Sequence, residues 1–526
     1  MKYIVITGGV ISGLGKGITL ASVGRNLINR GFKVTAIKID PYINVDAGII
    51  SPLQHGEIFV LRDGSEVDLD LGNYERFLNV ELTSNHDITT GKIYLSIINK
   101  ERNGYFLGHT VQMIPHVTNE IKNRIRDIAN NSGVDICLIE IGGTVGDIES
   151  MIFLEAIRQM KQEESNNMKL IHVSLVFNDG QGEQKTKPTQ HSVKEMRSLG
   201  LSPDFIICRS KNKLSENTKM KISMFCNVKK DYVISNYDTY NLYKIPKILD
   251  NENLTENLIL ELGLVNNKII DNFWDSMLLK MDNISYNLHE IKILIIGKYT
   301  EIPDSYMSLL EALKHSSTYC GIKINIKLIN SNIFINKYEN IDILKSYHGI
   351  IISDSYDDFD CNGLLNIINY IRVNNIPFFG IDLGMQLSIL EYIKNEINYH
   401  LSIDILLKKF HEQIIEENKN IMLGNFKIKI KRDTILYNIY NKNEVIERFR
   451  NRYVVNKDII KLNNNKLIYS SFINNNIMSI ELKENLFFIG VQYHPEFISK
   501  PNKSHPLFNR FLFAANIFMK KKNQNI

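Results

Sequence analysis

Cysteine is scarce in this chain of 526 residues: there are 5, an odd number without paired spacing. Such usage offers no disulfide framework and points to a reducing compartment. Long apolar runs are missing too, so nothing reads as a bilayer span, and no signal peptide precedes the first predicted strand. The expectation is a cytoplasmic protein. Charge of one sign is also absent, with 62 basic against 58 acidic residues and a net charge of +4. So small an excess argues against a nucleic-acid or membrane partner. The many Asn, Ile and Lys residues look like drift in an AT-rich genome, so surface lysine runs carry little functional weight. What remains is ordinary for a globular protein, 44% hydrophobic and 23% charged. The length is too great for one core and predicts two large domains.

The stretch Gly8-Gly9-Val10-Ile11-Ser12-Gly13-Leu14-Gly15-Lys16-Gly17 organises the first half. Before it, Tyr3 to Thr7 reads as a buried strand. After it, Ile18 to Asn29 carries apolar residues at helical spacing. A strand, a glycine-rich turn and a helix gather backbone N–H groups around one anion, and Lys16 adds a mobile positive charge. The loop departs from the common phosphate-loop pattern in two places. Its first glycine is displaced by one, and Gly17 stands where a Ser or Thr hydroxyl would hold magnesium. Metal ligands must therefore come from elsewhere.

Acidic residues further along are the candidates. Lys33 to Ile39 predicts a strand running into Asp40-Pro41, which places polar groups at the carboxyl edge of a parallel sheet, where ligands of α/β proteins sit. In Glu66-Val67-Asp68-Leu69-Asp70-Leu71-Gly72, strand alternation sends Asp68 and Asp70 to one side. Asp135 to Ile141 predicts another buried strand, ending in Glu140 and a glycine run. Leu170 to Val176 and Phe205 to Cys208 supply further strands. Between them Lys185-Thr186-Lys187-Pro188-Thr189-Gln190 suits a second polyphosphate with a polar base.

These motifs, in this order, closely resemble the CTP synthase family over nearly the whole chain. The resemblance implies an α/β protein of two domains, each a mostly parallel sheet flanked by helices: a phosphate-loop synthetase domain at 1–264 and a flavodoxin-like amidotransferase domain at 291–526. A linker with one helix, carrying the lone Trp274, is expected at 265–290. It implies amination of UTP to CTP, with ATP as co-substrate and Mg2+ as cofactor. Lys16 and Lys38 would contact ATP phosphates, and Asp70 and Glu140 would hold the metal. Ser12, Gly13, Leu14, Gly15, Gly17, Ile18, Asp70 and Asp238 would complete the ATP site. Ser12, Asp147, Ile148, Glu149, Lys185, Thr186, Lys187, Pro188, Thr189, Gln190 and Lys221 would bind UTP or CTP. His55 matches a residue placed where ammonia enters; a plain loop histidine is the equal alternative. At Phe177-Asn178-Asp179-Gly180-Gln181-Gly182 the chain departs from the family's Pro-Tyr run. A homotetramer and a GTP effector site belong to the same resemblance.

The second half resembles the class I glutamine amidotransferase domain, whose Cys-His-Glu triad releases ammonia. Its nucleophile turn, Gly-Ile-Cys-Leu-Gly-Met-Gln, reads here Gly380-Ile381-Asp382-Leu383-Gly384-Met385-Gln386. His494 and Glu496 match the other triad members, while Asp382 occupies the nucleophile position. A carboxylate does not replace a thiolate in thioester chemistry. The family's Pro-Gly-Gly-Phe-Gly oxyanion loop aligns with Ser353-Asp354-Ser355-Tyr356-Asp357, which lacks the glycines and adds acids. No match to the glutamine-holding Glu is found near His400 to Asp404. Gln386 and Arg452 persist as glutamine-binding remnants, and Cys361 lacks the elbow needed to substitute. The expectation is a synthase fed by free ammonia. The alternatives are a non-catalytic scaffold or regulatory homologue, and a ligase of the dethiobiotin synthetase type.

Overall fold

The computed structural model describes residues 1–265, 271–334, 338–354, 362–397, 422–451, 455 and 466–524. Two compact units emerge, one of Met1–Ala47 with Asp70–Leu278 and one of Gly48–Leu69 with Leu279–Ile526.

The first unit is built on seven parallel strands, β1 (Lys2–Gly8), β2 (Val34–Asp40), β3 (Asp87–Thr89), β4 (Ile136–Ile141), β5 (Met168–Leu175), β6 (Phe205–Ser210) and β7 (Val233–Tyr237). Their order is β7-β6-β5-β1-β4-β2-β3. Every residue of β2 and β4 is buried, as expected of strands covered on both faces. The two charged residues of β2, Lys38 and Asp40, lie at its carboxyl end, where the candidate site gathers. The helices that matter here are α1 (Lys16–Asn29), α2 (Leu69–Leu78), α3 (Lys187–Ser198) and α4 (Glu216–Cys226).

One sequence expectation meets a different outcome. Asp68 ends a short strand, Glu66–Asp68, while Asp70 sits in the first turn of α2. The chain passes from strand to helix at Leu69, so strand alternation does not relate the two carboxylates. The helix expected within 265–290 is α5 (Phe273–Ser285). Its Trp274 is buried, donates from Nε1 to the Tyr243 carbonyl at 2.9 Å and packs on Phe77 at 5.3 Å. Next to it, Asp271 pairs with Arg25 of α1 at 2.6 Å.

The second unit holds a nine-stranded sheet of β8 (Glu290–Gly297), β9 (Lys323–Asn330), β10 (Gly349–Asp354), β11 (Phe378–Asp382), β12 (Met422–Ile430), β13 (Glu444–Asn451), β14 (Leu467–Ile473), β15 (Asn476–Leu482) and β16 (Phe488–Val491). The order is β9-β8-β10-β11-β16-β15-β14-β12-β13, parallel through the first five and antiparallel beyond. Period-two alternation splits its apolar residues between two cores. Leu294, Ile296, Ile350 and Phe378 face one, near α6 (Leu383–Glu396); Ile293, Ile295, Ile351 and Phe379 face the other, near α7 (Pro506–Gln524).

Residues 48–69 are part of this unit. Fully buried Arg448 donates to the Val60 carbonyl and to Asn425 Oδ1, both at 2.6 Å. Glu57 accepts from the Ser308 amide at 2.9 Å. Among the described residues, no helix is long and apolar enough to cross a membrane.

Candidate active sites

The first site is built on the turn between β1 and α1. Gly13, Gly15 and Val10 all take left-handed φ, 73°, 82° and 82°, which curls the loop before the helix begins. No hydroxyl is needed at position 17. A Cβ there would overlap the Asp70 carboxylate, so α2 delivers an acid into the space that a Ser or Thr side chain would fill. Lys16 lies in the first turn of α1 and donates to the Gly143 carbonyl at 2.8 Å. Burial lowers its pKa, opposed by Glu140, Asp70 and Asp40.

Lys38 is the centre of the cluster. Its Nζ lies 2.5 Å from Asp70 Oδ2, 3.0 Å from Glu140 Oε1 and 3.8 Å from Asp40 Oδ1. Strand register explains the closest buried partner, since Lys38 and Glu140 are opposite each other in β2 and β4. Tyr74 of α2 donates to the other Glu140 oxygen. Burial raises Glu140 above the usual carboxylate range despite Lys38. Burial acts on Asp70 too, but there Lys38 prevails and holds it low. The donor set fits a magnesium ion, which takes one or two carboxylates and completes its shell with water and substrate phosphate. Among the described residues no group of three His, Cys, Asp or Glu side chains is arranged as a metal cage. Lys16, Lys38, Asp70 and Glu140 thus converge.

The expected pyrimidine set is more spread out. Asp147 accepts from the Thr144 amide at 3.0 Å, and Ile148 and Glu149 line a largely apolar cleft of about 600 Å³ with Ile43 and Met151. Lys185 lies in a hairpin of Phe177–Asn178 with Gln184–Lys185 and pairs with Asp179 at 2.9 Å and Glu183 at 2.5 Å. The departing loop therefore supplies a local partner for an expected phosphate ligand. Lys187 opens α3 over the Phe225 ring at 5.7 Å, with Pro188 behind it. Thr189 donates to the Leu175 carbonyl at 3.0 Å and Gln190 to Thr186 Oγ1 at 2.9 Å. Lys221 is on α4, and Asp238 follows β7, paired with Arg209 at 2.8 Å.

A buried relay was not read from the sequence. His172 of β5 bonds Thr7 Oγ1 of β1 at 2.9 Å and Ser192 Oγ of α3 at 2.7 Å. Gly9 packs so closely here that a Cβ would strike both Ser192 and His172. The phosphate loop and the helix carrying Lys187 are thereby fitted to one another. Burial, helped by Lys16, depresses His172 to about 4.

The second site lies at the end of β11. Asp382 has φ 50° and ψ −107° and leads directly into α6, the sharp turn expected of a nucleophile elbow. Gly380 and Gly384 permit it: a Cβ on Gly380 would lie 2.7 Å from the Gly384 carbonyl, and one on Gly384 would strike the Ile352 carbonyl. Asp382 Oδ1 accepts from Asn451 Nδ2 and Gln492 Nε2, each at 2.5 Å, and from Gln386 Nε2 at 3.5 Å. Its Oδ2 lies 4.0 Å from His494 Nε2, and His494 Nδ1 lies 2.8 Å from Glu496 Oε1.

Burial pushes Asp382 up to about 6, although His494 and the Asn451 amide pull the other way. Burial opposes the His494 imidazolium, but Glu496 and Asp382 outweigh it and raise the ring. Asn451 and Gln492 were not singled out in the sequence, because their role depends on a carboxylate at 382. Arg452, Cys361, residues 355–357 and residues 400–404 lie outside the described residues, as do the side chains of Asp354 and His55.

Comparison with known proteins supplies the family. The CTP synthase N-terminus profile matches residues 2–264, and the class-I glutamine amidotransferase profile matches residues 301–514. The CTP synthase of Methanosarcina acetivorans is 47% identical over 537 aligned positions, covering 99% of each chain. The chain belongs to the CTP synthase family. The CTP synthase of Clostridium acetobutylicum is 44% identical and covers 98% of each chain. The solved glutaminase domain of Trypanosoma brucei CTPS with bound acivicin matches 43% of this chain and 94% of its own, at 26% identity and a TM-score of 0.39. Within this CTP synthase family member, the synthetase profile covers the Lys38 cluster, and the amidotransferase profile covers Asp382, His494 and Glu496.

Proposed function

We propose that the protein is an ATP-dependent ligase that aminates UTP at C4 to give CTP, taking its nitrogen from free ammonia. The synthetase domain is assigned to 1–264, the linker to 265–290 and the amidotransferase-like domain to 291–526. In the first step the γ-phosphoryl group of ATP passes to the uracil O4, leaving ADP and a 4-phosphorylated UTP. Ammonia then attacks C4, the C4–O bond breaks, and inorganic phosphate leaves. Such transfer needs positioning and charge compensation more than covalent help. Lys16 and Lys38 serve the ATP phosphates, with Asp70 and Glu140 as holders of Mg2+, which when bound neutralises phosphate charge. Lys185, Lys187, Gln190, Asp147 and Glu149 are assigned to UTP.

The observation that carries the ammonia reading is Asp382 at the elbow. Its carboxylate is engaged by two amides and stands beside an intact His494–Glu496 pair. Without a thiol there is no thioester, so glutamine hydrolysis has no nucleophile. The test is CTP formation from UTP, ATP and Mg2+ with either ammonium or glutamine. CTP from ammonium alone is expected, at a rate that rises towards the ammonium pKa because neutral NH3 attacks. Equal rates with glutamine would overturn the reading. No CTP from either donor would favour a scaffold role.

A further inference from the structure

The cavity beside Asp382 keeps buried acceptor atoms without partners among the described residues. It measures about 110 Å³ and is lined by Glu57, Ser305, Asp382, Arg450, His494 and Glu496. Three buried polar atoms of these residues have no hydrogen-bond partner among the described residues: Ser305 Oγ, His494 Nε2 and Glu496 Oε2. Glu496 is 5% exposed. Above its raised titration His494 is neutral, with the proton on Nδ1 given to Glu496, which leaves a lone pair on Nε2. A hydroxyl oxygen, an imidazole lone pair and a carboxylate oxygen all accept, and Asp382 Oδ2 is a further acceptor 4.0 Å from Nε2. Leaving such atoms buried and unmatched is destabilising.

We propose that this vestigial glutaminase site binds an ammonium ion, held between Asp382 Oδ2 and His494 Nε2. A donor placed about 2.8 Å from each of two acceptors 4.0 Å apart subtends roughly 90°. That suits the tetrahedral spread of ammonium N–H bonds. Charge agrees. Asp382, Glu496 and Glu57 bring three carboxylates against the Arg450 guanidinium, which is itself paired with Glu66 at 2.8 Å. Water would satisfy two acceptors and none of the charge, and a hard alkali cation binds an imidazole nitrogen weakly, unlike ammonium or the softer thallium(I).

The groups facing His494 are Glu496, Asp382, Arg450 and Glu57. Protonation of Nε2 fills the same lone pair, so ammonium binding weakens as pH falls through the His494 titration.

The inference rests on reading Asp382 as a lost glutaminase nucleophile, and its test uses neither ATP nor UTP. Crystals of the full chain are soaked in thallium(I), an anomalous scatterer of ammonium-like size, and then back-soaked in ammonium. A peak about 3 Å from Asp382 Oδ2 and His494 Nε2, removed by ammonium, is expected. In solution, ammonium chloride at tenfold its Kd should raise Tm by about 2–4 °C over potassium chloride of equal concentration. Asp382→Asn should abolish that difference. No anomalous peak at this position, or equal shifts from potassium and ammonium, would overturn the proposal. CTP formation from ammonium without such a peak would leave the proposed function standing and remove this inference; a peak without CTP formation would do the reverse.

Discussion

The two candidate sites start from one design and have diverged in opposite ways. Each sits at the carboxyl end of parallel strands, at a glycine-assisted passage from strand to helix. In the first, a departure from the common loop is compensated: Gly17 replaces a hydroxyl residue, and Asp70 arrives from α2 to fill the space. In the second, the elbow backbone is present and carries a carboxylate, Asp382. Asp382 keeps φ 50°, a conformation that disfavours any side chain, although the residue held there is no thiol. Strain at this elbow is thus set by the glycines and strands around it, whatever side chain it presents.

The largest expected effect concerns repair of the second site. Losing a nucleophile from a catalytic triad costs about a millionfold in rate. Asp382→Cys would place a thiol beside His494 and Glu496, yet no substantial glutamate release from glutamine is expected. The positions aligned with the oxyanion loop carry Asp354 and Asp357 in place of glycines. Losing one oxyanion donor costs on the order of 3 kcal/mol, and acids nearby would also raise the thiol pKa. Adding Asp354→Gly, Ser355→Gly and Asp357→Gly should give release that the single variant lacks. Brisk release by Asp382→Cys alone would show that the compensation found in the first site exists in the second as well.

The first site should be sensitive to single charges. Lys16→Ala, Asp70→Asn and Glu140→Gln are each expected to lower the CTP-forming rate roughly a hundred- to a thousandfold, ~2.7–4 kcal/mol. Near-normal turnover in Lys16→Ala would mean that ATP sits elsewhere. Gly17→Ser, which restores the common motif, should damage this site: its Cβ meets the Asp70 carboxylate, an overpacking cost of about 1–3 kcal/mol. A fall in both Tm and ATP-dependent rate is the expected result, and an improved rate would show that Asp70 does not stand in for the hydroxyl.

A pH measurement separates the buried histidine of the first unit from the triad histidine of the second. His172 is held near 4, below its ordinary 6.5, so the unfolded chain takes up the proton first. Its contribution is complete above about pH 6.5 and is lost as pH falls towards 4, by about 3 kcal/mol at most. His494 is raised, so its contribution is present at low pH and is lost as pH rises through its folded-state pKa. Urea midpoints of the native protein and of His172→Gln should therefore diverge above pH 6.5 and converge below 4. Parallel curves would remove the desolvated histidine from the account. The smallest effect is expected at the pyrimidine loop. Asp179→Asn frees Lys185 from one exposed partner and should lower KM for UTP about twofold, since such pairs are weak.

Much of this was legible in the sequence because it is local. Strand, glycine turn and helix follow one another in the chain, and Asp382 interrupts a motif that can be read letter by letter. Residues whose roles are tertiary escaped. Tyr74, His172 and Ser192 act through contacts across layers, and neither polarity nor spacing marks them. Strand alternation placed Asp68 and Asp70 on one side and the family resemblance singled out Asp70, but it reaches its place from the first turn of a helix. Trp274 looked like a linker residue because its neighbours are polar; its partners, Phe77 and Tyr243, are distant in sequence.

The overlap between position 17 and Asp70 bears on when the protein becomes competent. In a phosphate loop with its own hydroxyl, the loop and its helix carry the metal ligand along with the phosphate cradle, and a fragment can hold both. Here the acid comes from a helix some fifty residues later, and Glu140 arrives later still, on β4. A nascent or partly unfolded chain can present the loop without Asp70 and Glu140 in place. If the proposed roles hold, nucleotide handling is tied to completion of the sheet, and no ATP is spent by a chain with nowhere to put its phosphate.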